Sequence, residues 1–165
     1  MRRNGAGFLL FEFMLYLFLA IVIASLTSYV AVTTYTQMLA CTTRCAVAVA
    51  ASCALDVLVR DLRQAPAERS SWKSISDGDY VWHTPQGDLG WQLRTQSLVR
   101  TSGIFDSVSH EWQHATHSVI MDNVVNFVCE CTYKNSLIEH VVCILTATNG
   151  TSVTRYVTLS RGILV

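Results

Sequence analysis

The run richest in reactive side chains is His110-Glu111-Trp112-Gln113-His114. On a helix, histidines at i and i+4 share one face. There they bind Zn²⁺, and the glutamate between them serves as general base. His117 stands close behind and offers a third ligand. Three features weigh against a zinc centre. A third ligand at i+7 crowds the same helix. The segment is short and bounded by Ser/Thr-rich sequence, and only about 100 residues remain in the body to build a substrate cleft. A loop or short surface helix without metal is therefore expected. Zinc-dependent hydrolysis through His110, Glu111 and His114 stands as the alternative.

Six cysteines are the other reactive groups: Cys41, Cys45, Cys53, Cys129, Cys131 and Cys143. The first three fall in a helical pattern. Cys129 and Cys131 share one face of a strand pattern, and Cys143 lies on a further strand candidate. Disulfides and buried free thiols are both open, and spacing does not choose among pairings. Cys-x-Cys at 129–131 is too short and isolated for a zinc site. Asn149-Gly150-Thr151 fits a glycosylation pattern, but a hairpin turn explains it fully. There is no Gly-rich phosphate loop and no Gly-x-Ser-x-Gly elbow.

The elements that must carry these groups follow from composition. The chain has 165 residues, 12 basic and 12 acidic side chains, and no net charge. Charged residues make up 15% and apolar residues 51%, with mean hydropathy +0.33. Such a chain is not disordered and has no basic excess for nucleic acid. No charge falls between Glu12 and Arg44, and from Phe8 to Ala24 only Glu12 interrupts the apolar run. That run is long enough to cross a bilayer as a helix. Arg2 and Arg3 stand before it and should stay cytoplasmic, which sends the C-terminal part across. A cleaved secretory signal has a shorter apolar core, and neither it nor a plain signal anchor accounts for Glu12. A carboxylate in hydrocarbon is costly unless it snorkels to the interface or finds a partner.

Gly7-Phe8-Leu9-Leu10-Phe11-Glu12, directly after a basic leader, resembles the class III signal of type IV pilins and type II secretion pseudopilins. The resemblance implies that a prepilin peptidase cuts after Gly7 and methylates Phe8, and that the apolar helix is kept. It implies that Glu12 meets the N-terminal amine of a neighbouring subunit in a filament. Paired, the two charges offset each other's desolvation cost and set the axial register. Leu9 stands where a Thr or Ser is common in that family. Tyr29 stands near the place of a Pro that major pilins carry, which points to a minor subunit.

No Gly or Pro occurs from Phe8 to Ala65, and Pro66 follows. One continuous helix over this stretch would be about 87 Å long. Met38, Cys41, Cys45, Ala48, Ala51, Leu55, Leu58, Leu62 and Ala65 follow in steps of three and four, the spacing of one helix face. Arg44, Asp56, Arg60, Asp61, Arg63 and Gln64 are placed on the opposite face. The expected organisation is a leader at 1–7, a membrane or filament-core helix at 8–37, an amphipathic half at 38–65, and a β-rich body at 66–165.

After Pro66 the apolar spacing drops toward two. Tyr80–His83 is a short strand candidate, and residues 90–100 read as a hairpin around Thr95-Gln96-Ser97. In residues 124–133, Val125, Phe127, Cys129, Cys131 and Tyr133 share a face. Residues 137–147 and 152–159 flank Asn149-Gly150, which predicts a type I′ turn. Gly162–Val165 would add an edge strand. The fold class is α+β, a long apolar helix packed on an antiparallel body. Asp61-Leu62-Arg63-Gln64-Ala65, Trp91-Gln92-Leu93 with Ser97-Leu98-Val99-Arg100, and Met121-Asp122-Asn123-Val124 leading to Phe127 occur in order. These look like the J-type minor pseudopilins and the larger minor pilins of type IV and competence pili. The resemblance implies a non-enzymatic, single-pass subunit of the bacterial inner membrane with an extracytoplasmic body. Its partners would be prepilin peptidase and other minor and major pilin-like subunits at a filament tip. No cofactor and no nucleic acid is expected.

Overall fold

The computed structural model describes residues 5–159, so the leader residues before Gly5 and the expected strand Gly162–Val165 lie outside the described residues. The chain divides into two units, Met1–Thr43 and Arg44–Val165. One helix, α1 (Gly5–Leu62), contributes to both. It starts ahead of Phe8, through Gly5-Ala6-Gly7, and ends three residues short of Ala65. The reason for the early end is local. Gln64 N–H donates to Asp61 C=O and Ala65 N–H to Leu62 C=O, which tightens the final turn. Pro66 then disfavours helical backbone at the residue before it.

In the first unit α1 is long and apolar enough to cross a membrane, with mean hydropathy 2.5 over its most apolar window. Its side chains from Leu9 to Leu39 are almost all exposed. Some of its polar residues are satisfied within the helix: the Ser25, Thr27, Thr33 and Thr36 hydroxyls donate to carbonyls three or four residues back.

The second unit carries eight antiparallel strands. Five form a meander in spatial order: β1 (Trp72–Ser76), β2 (Asp79–Thr84), β3 (Gly87–Arg94), β4 (Ser97–Asp106) and β5 (Glu111–Asp122). Three form a second meander: β6 (Val124–Lys134), β7 (Leu137–Ala147) and β8 (Ser152–Thr158). The fold is thus α+β, a long N-terminal apolar helix with an antiparallel body. Ala51, Ala54, Leu55, Leu58 and Leu62 of α1 share one core with Trp82 and Trp91 of the first sheet and Phe127 and Leu145 of the second. Met38, Cys41 and Cys45 of the expected stripe are exposed. Periodicity marks a helix face but not how much of its length is covered.

Two further expectations change in detail. In β6 the buried residues are Val124, Phe127 and Cys129, while Val125 is exposed. A bulge between Val124 and Asn126 shifts the alternation by one residue there. At Asn149-Gly150 only Gly150 has positive φ, and Gly150 N–H donates to Ala147 C=O. This is a type I turn followed by a left-handed glycine, not a type I′ turn. The turns with two central residues of positive φ are Thr95-Gln96 and Asn135-Ser136, neither containing glycine.

Candidate functional site

Gly7 and Phe8 lie in the first turns of α1. Glu12 follows on the next turn, among Leu9, Leu10, Phe11 and Phe13, each more than half exposed. Its Oε1 accepts a hydrogen bond from the Tyr16 hydroxyl at 3.2 Å. An ionised carboxylate has about four acceptor positions, so one phenol leaves most of its capacity for another donor. The spacing of four places both groups on one helix face, which sequence alone allows to be read.

In the second unit, residues from three distant segments meet at Asp61. This carboxylate is only 5% exposed. Arg100 Nε donates to Oδ2 at 2.6 Å, and Trp91 Nε1 donates to the same oxygen at 3.1 Å. Trp91 and Arg100 are opposed residues of β3 and β4, so one carboxylate on α1 fastens the hairpin to the helix. Asp61 thus lies inward, against its expected place on the polar face. The cue was present: Ala51, Ala54, Leu58 and Asp61 also follow helical spacing. A lone acid on that line carries no mark of burial, because its partners are supplied by strands far along the chain.

A second buried acid, Asp88, had no sequence cue. Its carboxylate accepts from Lys73 Nζ at 2.7 Å, His83 Nδ1 at 2.9 Å and the Phe105 amide at 2.7 Å. Lys73 also donates to Phe105 C=O. Burial alone would raise the Asp88 pKa. The hydrogen bonds from Lys73, Phe105 and His83, with the lysine charge, outweigh it and hold the carboxyl below its usual value. The Asp88 and Arg100 side chains both line a cleft of about 580 Å³ that also includes Gln64, Thr84, Gln86 and Ser102. Their charges are engaged by Lys73 and Asp61, so here Asp88 ties β3 to β1 and Arg100 ties β4 to α1.

The His110–His114 segment is not a loop or surface helix. His110 ends a turn, and Glu111–His114 belong to β5. Trp112 opposes Phe105 and Gln113 opposes Ile104, with a bulge beyond. His110 and His114 both have positive φ, at 55° and 51°. Four residues of strand span about 13 Å, against about 6 Å along a helix, so the facing pair that zinc binding needs is not formed. Trp112 packs against Phe105 with ring centroids 5.1 Å apart. Its ring also fills the space a side chain at Gly90 would need. His117 bonds Thr101 through Nδ1. Among the described residues, no three His, Cys, Asp or Glu side chains are grouped to hold a metal.

Cys41, Cys45 and Cys53 are exposed, Cys131 is half-buried, and Cys129 and Cys143 are buried. Compared with protein-family models and with curated proteins, the chain finds no match.

Proposed function

We propose that this chain is a minor pilin-like subunit of a type II secretion pseudopilus or a type IV pilus, placed at the filament tip to start assembly. One observation carries the reading. Glu12 sits five residues after Gly7 on an exposed apolar helix with no other charge until Arg44. An acid in that setting calls for a cationic partner from another molecule, and the amine of a processed Phe8 on a neighbouring subunit is such a partner. The convergence of Asp61, Trp91 and Arg100 supports it further, because these residues lie in the segments that carry the resemblance.

On this reading prepilin peptidase cuts after Gly7, the helix holds the subunit in the inner membrane, and the body faces the extracytoplasmic side. The test is the mature N-terminus, by intact mass and peptide analysis from native membranes. The expected chain begins at methylated Phe8. A chain still beginning at Met1, in cells whose other prepilins are processed, overturns the proposal. Glu12→Val should leave membrane insertion unchanged while filament incorporation is lost. Unchanged incorporation removes the register role.

A further inference from the structure

Cys129 and Cys143 are opposed residues of β6 and β7, and both are buried. Their Sγ atoms lie 2.9 Å apart. Opposed residues of an antiparallel ladder are of two kinds, and those that do not exchange backbone hydrogen bonds bring their side chains closer. Cys129 is of that closer kind, because its N–H donates to the Tyr80 hydroxyl at 2.7 Å instead of across to β7. Such pairs set their Cα atoms about 4.5 Å apart, inside the range of about 4.4–6.8 Å that a disulfide spans. A disulfide bond is about 2.05 Å long, so the sulfurs need approach by only about 0.9 Å, which small side-chain rotations supply.

We propose that Cys129 and Cys143 are joined by a disulfide bond in the mature protein. Cys131, two residues along β6, opposes Val141 and not Cys143. Burial, chiefly, pushes its thiol up to about 11, and no cysteine stands opposite it across the ladder. Cys41, Cys45 and Cys53 lie on α1 and are exposed. The proposal does not depend on the filament reading.

The oxidant is a disulfide, borne by a protein or a small molecule. The Cys129 thiolate attacks one sulfur of it, forming a mixed disulfide and releasing the other sulfur as a thiolate. The Cys143 thiolate then attacks Cys129 Sγ, forming the intramolecular bond and expelling the second oxidant sulfur. The chain loses two protons and two electrons, and the oxidant becomes a dithiol. Burial, chiefly, holds the Cys129 thiol well above its ordinary range in the folded chain, and the adjacent Cys143 raises it further. The exchange therefore takes place while the β6–β7 hairpin is still open. Once the Tyr80 ring closes edge-on over Phe127, at 5.4 Å between centroids, the bond is shielded from reductant.

The test uses the full chain, extracted from native membranes into detergent with N-ethylmaleimide present and no reductant. Cleavage after Glu130 separates Cys129 from Cys131. The expected map links the Cys129 peptide to the Cys143 peptide, with Cys131 alkylated. Chain reduced while unfolded and then refolded should show a Tm lower by about 10 °C than oxidised chain, in the wild type and in Cys131→Ser. Cys143→Ala should show no such fall, and should that variant fail to fold, the wild-type peptide map decides alone. Cys129 and Cys143 both carrying N-ethylmaleimide overturns the proposal, as does either of them linked to Cys131.

Discussion

Charge removal at Asp61 tests how the hairpin is fastened to the helix. Asp61 accepts from Arg100 Nε at 2.6 Å and from Trp91 Nε1 at 3.1 Å, with a longer contact to Arg100 Nη2 at 3.5 Å. A hydrogen bond to a charged group contributes about 1.5–3 kcal/mol. The Arg100 side chain is 32% exposed, and solvent there brings the coupling to the lower part of that range, about 2 kcal/mol. Asp61→Asn keeps an oxygen for the indole and removes the ion pair, so it should cost about 2 kcal/mol. Asp61→Ala also leaves the Trp91 N–H buried without an acceptor, which raises the cost to about 4 kcal/mol. Arg100→Gln should cost about 2 kcal/mol, and the double change Asp61→Asn/Arg100→Gln about the same, because the shared interaction is lost once. The assay is urea unfolding in detergent micelles, followed by tryptophan fluorescence, with the midpoint moving at constant slope. Additivity of the two single changes within about 0.5 kcal/mol refutes the coupling.

Asp88 supplies a pH dependence. Its folded pKa lies below the usual 3.8, so its contribution is complete above that value and is lost as pH falls through the lower folded value. Wild-type stability should therefore decline below about pH 4 more steeply than that of Asp88→Asn, and equal acid slopes in unfolding titrations contradict the assignment. The Thr95-Gln96 turn holds two left-handed residues that pay a steric cost glycine and asparagine avoid. Replacing the pair with Asn-Gly should raise stability by about 1 kcal/mol, read as a higher denaturation midpoint.

Much of the architecture was legible because it rests on periodicity. The uncharged run with its sparse hydroxyls reads as one helix, and the short apolar runs at Tyr80–His83 and 137–147 read as strands. What escaped depends on partners that only the folded chain brings together. Asp61 is polar in isolation and buried only because Arg100 and Trp91 reach it. Asp88 sits in an unremarkable Gly-Asp-Leu stretch until Lys73 arrives from β1, two strands away, and Phe105 from β4 beside it. Val125 exchanged places with Val124 because a bulge resets the alternation, and a bulge has no signature in residue type. The His110–His114 run shows the opposite failure. Its i, i+4 histidines fit a helix only when Trp112, which wants a sheet face against Phe105, is left out of account.

The contact between α1 and the last strand bears on the order in which the chain becomes a body during synthesis. Arg155 of β8 donates to Asp56 of α1, a residue 99 positions earlier, and also reaches Ser52. Leu55, Leu58 and Leu62 are made first, yet the core that receives them includes Phe127, Leu145 and Val157. At about 5–20 residues per second, the ribosome needs roughly 5–20 s to go from Asp56 to Arg155. Through that interval the leucine face of the nascent helix has only part of its cover. The body closes only once β8 has been made, as a late event of high contact order, and a chaperone or the membrane surface has seconds in which to hold that face.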